Sequence, residues 1–134
     1  MANDANPRFR FDGEPASLGA ARNVVRGFLT ANGWADKEID ITIVVGEVMQ
    51  NVIRYGFDAN QSTGSFWVEL SCTAAELTVI IEDDAPPSDP SQWSAEHREA
   101  HEGGHGLNLV NSLASSVSFT ALPAGNRAEM LFQR

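Results

Sequence analysis

Two polar side chains stand four residues apart in an apolar run: Glu47 and Asn51, within GEVMQNVIRYG at 46–56. On a helix, such positions lie one above the other on a single face. A carboxylate there can accept a proton or orient a nucleophile. A carboxamide oxygen is a hard ligand that suits Mg²⁺. The plain alternative is a solvated helix stripe. A second candidate is Asp83, near the end of LTVIIEDD at 77–84. An apolar strand that ends in carboxylates delivers them to the sheet edge, and Asp83 can accept a hydrogen bond from an exocyclic amine such as that of adenine. Otherwise it belongs to an acidic turn. The third candidate is GGHGLNLV at 103–110, where Gly103, Gly104 and Gly106 lead into an amphipathic segment. Backbone N–H groups and the positive end of a helix dipole then meet a phosphate. The alternative is a flexible turn with a glycine N-cap.

Two common nucleotide motifs do not fit. A dinucleotide fingerprint needs a third glycine where Leu109 stands, within a βαβ unit. A phosphate-binding loop or a kinase strand needs a lysine, and Lys37, the only lysine, lies at a helix start. If the domain binds a nucleotide, it must do so without a phosphate lysine. His97, His101 and His105 recur every four residues. They read either as a Zn²⁺ site or as surface histidines on a helix broken by Gly103 and Gly104.

These residues need a frame. RFRFD (8–12) is a short strand, and 14–33 is a helix with Leu18, Ala21, Val24, Val25, Phe28 and Leu29 at helical spacing. Residues 36–56 form a second helix, with Asp36 as N-cap and Gly56 past its end. SFWVELSC (65–72) turns Phe66, Val68 and Leu70 inward, and 76–84 does the same with Leu77, Val79 and Ile81. Residues 85–104 are polar and rich in breakers, which reads as a lid that is mobile without ligand. A third helix covers 105–116, and the chain finishes as a hairpin around PAGN (123–126). The expected fold is α/β, one two-layer sandwich over residues 1–134, with three helices on one face of a mixed, mostly antiparallel sheet.

Composition narrows the function. The chain has 134 residues, with 43% hydrophobic and 20% charged, which are globular values. The net charge of −9 disfavours direct nucleic-acid binding. No apolar run approaches a membrane span, and the opening residues lack a signal-peptide core, so a cytoplasmic protein without membrane attachment is expected. Cys72 is the single cysteine, which excludes an internal disulfide.

In their order, the three stretches resemble the N, G1 and G2 boxes of the GHKL, or histidine-kinase-like, ATPases, whose domain is the Bergerat fold. Glu47, Asn51, Arg54 and Tyr55 look like the N box, EDDAPPSDP (82–90) like G1, and GGHGLNLVNSLASSVSF (103–119) like G2. The closing Gly125 and Asn126 before a last strand also fit. The branch with this pattern is the anti-sigma factor serine kinases, and the resemblance covers nearly the whole chain from about residue 8. It implies ATP and Mg²⁺ as cofactors, with Glu47 catalytic, Asn51 holding Mg²⁺ on the phosphates and Asp83 reading adenine. The implied nucleotide-binding set is Asn51, Tyr55, Asp83, Ala85, Gly103, Gly104, His105, Gly106 and Leu107. Implied partners are a STAS-type anti-anti-sigma protein and a sigma factor, with a homodimer possible.

The pattern departs from the family at Ala85, where glycine is usual, and at Ser88, where an aromatic residue is usual. If the glycine serves positive φ or close approach to the base, Ala85→Gly is expected to tighten ATP binding. The functional expectation is an ATP-dependent protein serine kinase that also sequesters a sigma factor. The competing readings are a regulator that binds partners without turnover and a small-molecule ATPase.

Overall fold

The computed structural model describes residues 6–87 and 113–134. Five strands form one sheet: β1 (Arg8–Asp12), β2 (Ser65–Cys72), β3 (Glu76–Asp83), β4 (Ser116–Leu122) and β5 (Gly125–Gln133). The spatial order is β1-β2-β3-β5-β4. Every pairing is antiparallel, so the described sheet is not mixed, contrary to the expectation. The reason lies in the connections: β2–β3 and β4–β5 are hairpins, and β1 and β5 each add antiparallel to that pair.

Alternation decides which face is buried. Phe66, Val68, Leu70, Leu77, Val79, Ile81, Ala128, Met130 and Phe132 all point to the same side and are buried there. Two helices cover this side, α1 (Leu18–Ala31) and α2 (Glu38–Asn51). Helix α1 contributes Ala21, Val25 and Leu29, spaced as one helical stripe. Gly33 follows at φ 80°, the left-handed conformation that ends a helix with least strain. Helix α2 is rich in Val and Ile, yet it is helical because Ile41, Val44, Val45, Val48 and Met49 all bury against the sheet. Tertiary packing outweighs the β preference of branched side chains. The third expected helix, 105–116, lies mostly outside the described residues. Of its end, Leu113 is helical and packs with Ala114 against the core.

Both ends of α2 differ from the sequence reading. Asp36 is not its N-cap. It lies in a 3₁₀ turn, Ala35–Lys37, and its carboxylate meets the Arg134 guanidinium at 2.7 Å. That guanidinium also stacks 4.1 Å from the centre of the Trp34 ring. Gly56 does not end the helix either. The chain continues from Asn51 into a π-helical turn, Val52–Asp58, with Ala59 N–H donating to the Arg54 carbonyl. The Asn60 carboxamide donates to the carbonyls of both Tyr55 and Gly56 and so holds the wide turn closed. Such turns often mark functional sites.

Candidate functional site

The C-terminal end of β3 carries the most unusual carboxylate. Asp83 is 4% exposed. Register places it opposite Asn126 at the start of β5. The Asn126 amide donates to Asp83 Oδ1 at 2.9 Å, and the Ala85 N–H donates to the same oxygen at 3.0 Å. Among the described residues, Oδ2 accepts no hydrogen bond. Burial pushes the Asp83 carboxyl up to about 6, against the two hydrogen bonds and with help from the neighbouring charge of Asp84. The ionised form thus dominates at neutral pH, and among the described residues only Oδ1 is held.

Gly125 and Asn126, read as the end of a turn, are in fact the first residues of β5, after a tight turn at Pro123 and Ala124. A side chain at Gly125 would run into the Asp83 carbonyl, so the backbone there must stay bare.

The π-helical turn brings the second candidate segment to the first. Gly56 faces Ala85, which is 1% exposed, so the end of the α2 segment abuts the loop that leaves Asp83. Ala85 is not at positive φ, so its backbone carries none of the strain that would call for glycine. Tyr55 is half-buried on the same turn, with the Arg54 guanidinium 5.8 Å from its ring centre.

Upstream on α2, Asn51 and Glu47 part company. Asn51 is 2% exposed, and among the described residues its side-chain nitrogen has no hydrogen-bond partner. A buried polar atom left unmet costs about 1–3 kcal/mol, and a water, an ion or a ligand can complete such a group. A hard cation with phosphates fits a carboxamide in this position. A half-turn of the amide exchanges its oxygen and nitrogen.

Glu47 is half-buried and lines a groove of about 340 Å³ between α1 and α2. Arg22, Arg26, Thr42, Ile43, Gly46 and Gln50 complete the groove. Arg22 lies across Gly46, where an added methyl would sit 3.2 Å from its Nε. Arg26 is tied to Glu38 at 3.3 Å.

Sequence reasoning did not single out Arg22 or Arg26, and it noted Asn126 only in the closing family pattern, without its contact to Asp83. The two arginines are four apart on α1, a spacing that signals a shared face but not which groove it lines. Gly103, Gly104, His105, Gly106 and Leu107, the three histidines and the rest of the lid lie outside the described residues, apart from Ala85, Pro86 and Pro87. Among the described residues, no group of three or more His, Cys, Asp or Glu could hold a metal ion, and no helix is long and apolar enough to cross a membrane.

No curated protein matches the chain. Among solved structures, it resembles the RsbU and RsbW domains of Rv1364c from Mycobacterium tuberculosis, with a TM-score of 0.65 and 15% identity. That match covers 95% of this chain but only 32% of the other. It also resembles the histidine kinase domain of the blue-light activated histidine kinase from Erythrobacter litoralis EL346, with a TM-score of 0.58 and 19% identity over 88% of this chain and 59% of that one. At these identities the likeness is one of fold. The chain therefore spans less than two thirds of either solved chain. The model for the histidine kinase-like ATPase domain matches residues 11–132, and with the sheet and helices in that arrangement the chain belongs to the histidine kinase-like ATPase domain family.

Proposed function

We propose that this chain is an ATP-dependent protein serine kinase that phosphorylates a STAS-type anti-anti-sigma protein and sequesters a sigma factor. The observation that carries the nucleotide part is the buried Asp83 carboxylate, with Oδ1 held by Asn126 and Ala85 and, among the described residues, Oδ2 uncommitted. An acceptor that faces the 6-position of a purine accepts from the adenine amine and rejects the guanine carbonyl there, which favours adenine over guanine. The kinase and partner parts are supported by family membership, by the order of the three boxes and by the likeness to a structure that contains an RsbW domain.

Each residue has a role in this reading. Asp83 holds the base. Asn51 would hold Mg²⁺, which when bound neutralises charge on the phosphates. Glu47 orients the attacking serine hydroxyl and takes up its proton. The groove beside Glu47 admits the substrate segment, and its two arginines suit an acidic partner surface on a chain of net charge −9. Phosphoryl transfer rests mostly on positioning and charge neutralisation, which this set can supply without a lysine.

The test is incubation of the protein with STAS-type partners and labelled ATP, alongside thermal melting with ATP and with GTP. Transfer of label to a partner serine supports the kinase. A ligand at 100 times its dissociation constant stabilises a fold by about 2.7 kcal/mol, so ATP should raise the melting temperature clearly and GTP less. Binding of a sigma factor with no transfer to any partner favours a regulator without turnover. No shift at millimolar ATP removes the nucleotide reading.

A further inference from the structure

Resting on the reading of Asn51 as the residue that holds Mg²⁺, we infer that Asn60 is a positioning residue for that site. Its carboxamide keeps the π-helical turn closed, and the closed turn keeps Asn51 within a continuous helix rather than at a frayed end. Asn51 is the last residue of α2, and the wide turn Val52–Asp58 follows it directly. Helix ends open more readily than helix interiors, and a side chain on an opened turn no longer points one way. The aim of the Asn51 carboxamide therefore depends on how firmly the turn after it is held.

The turn has little strength of its own. π-helical turns are rare, and Gly56, a weak helix former, lies inside this one. Alanine would strengthen it, but the Ala85 methyl group stands where that side chain needs room. Asn60 supplies the hold from outside. Its Nδ2 donates to the Tyr55 carbonyl at 3.1 Å and to the Gly56 carbonyl at 2.9 Å, acceptors of the kind that a helix end leaves over. The backbone beside Asn60 is bent to allow this. Gln61 N–H donates to the Asp58 carbonyl at 3.1 Å and Ser62 N–H to the Phe57 carbonyl at 2.9 Å, the bonding of a Schellman stop. Gln61 sits at φ 51°, and among the described residues it is the only non-glycine residue at positive φ. Glycine is the unstrained choice there. The inner side of the turn is fixed by Phe57, whose buried ring fills space that Gly13 and Gly64 leave bare. Between that ring and the Asn60 amide, the turn is held in its wide register.

The test compares wild type with Asn60→Ala, which removes the donors, with Gln61→Gly, which removes the strain, and with the double variant. Three readouts are followed: melting temperature, hydrogen exchange of the Ala59 N–H in the nucleotide-free protein, and ATP affinity with Mg²⁺ and with a chelator. The Ala59 N–H donates to the Arg54 carbonyl and so reports closure of the turn. Asn60→Ala is expected to speed that exchange and to lower ATP affinity about tenfold in Mg²⁺ but little in the chelator, the usual loss when a residue that orients a metal ligand is removed. Gln61→Gly is expected to raise the melting temperature. In the double variant it should restore stability without restoring the Mg²⁺-dependent affinity, because the donors to Tyr55 and Gly56 are still missing. A double variant that regains both overturns the positioning role and leaves Asn60 as a stabiliser of the fold alone. A folded Asn60→Ala protein with wild-type Mg²⁺-dependent affinity also overturns it. If wild type binds ATP equally with and without Mg²⁺, the metal-holding role of Asn51 fails, and the positioning role with it.

Discussion

The methyl group of Ala85 sits against the bare backbone of Gly56: a side-chain carbon built at Gly56 would lie 3.1 Å from the Ala85 Cβ. One position is small because the other is filled. This contact joins the helix that carries Glu47 and Asn51 to the strand end that carries Asp83. Gly56→Ala is expected to destabilise the fold by about 1–3 kcal/mol, through overpacking at a closed contact. Adding Ala85→Gly should return most of that loss, because the two sites share the space. Urea unfolding of the four proteins in the cycle measures the coupling, and additive effects would show that the contact is slack.

Ala85→Gly alone now carries the opposite expectation from that drawn on the family pattern. Ala85 is buried and its φ is not positive, so glycine relieves no strain there. It removes a buried methyl and frees the loop, together about 1–2 kcal/mol. ATP affinity should stay equal or weaken. Tighter binding, measured by titration calorimetry, would mean that the methyl obstructs the ligand.

Asp83→Asn is expected to separate stability from binding. The folded carboxyl, near 6, lies above its ordinary 3.8. Below the lower value both folded and unfolded chains are protonated and the group has no effect. As pH rises from 3.8 through 6 the folded chain holds the proton more tightly, so stability falls, and above 6 the full penalty of the buried charge remains. The neutral asparagine keeps an oxygen for the Ala85 and Asn126 donors. The nucleotide-free variant should therefore melt higher than wild type at pH 8, by the equivalent of about 2–3 kcal/mol at most. The melting shift caused by ATP should be lost. An ATP shift that survives the substitution takes Asp83 out of the site.

Asn51→Leu makes a parallel case without a charge. Leucine shares the branching of asparagine, is bulkier and has no polar group to satisfy. Replacing a buried amide whose nitrogen has no partner among the described residues should stabilise the nucleotide-free protein by about 1–2 kcal/mol. It should also abolish the stabilisation by Mg²⁺ with ATP. A destabilised variant would show that the carboxamide is held by the fold rather than kept for a ligand.

Glu47→Gln tests turnover. A group that only orients and deprotonates the attacking hydroxyl acts in the transition state, so ATP affinity should remain within a few fold. Phosphate transfer should fall by about 100-fold or more, the usual contribution of a general base. Single-turnover transfer to a partner serine is the measurement, and a wild-type rate would remove Glu47 from the mechanism.

Much of this was legible in the residues. The alternation of Phe66, Val68 and Leu70, and of Leu77, Val79 and Ile81, marks one buried face of two strands, because side chains on a strand change sides at every step. The four-residue spacing of Glu47 and Asn51 placed both on α2. The same spacing could not say that Asn51 would be sealed in the core while Glu47 opened onto a groove with Arg22. A helix face is wide enough to straddle a packing boundary, and the boundary is drawn by the neighbouring elements.

What the sequence alone determined is the set of local commitments: strand periods, helix stripes, the left-handed stop at Gly33, and three polar stretches whose chemistry suits a nucleotide. Only the tertiary structure decided the rest. Asp36 looked like a cap until the C-terminal Arg134 arrived to claim it. Gly56 looked like a helix end until the π-helical turn carried it to Ala85. Asn126 looked like part of a turn until strand register set it against Asp83. In each case the deciding partner lies 29 or more positions away, so the interaction exists only after the chain has folded, and no local preference encodes it.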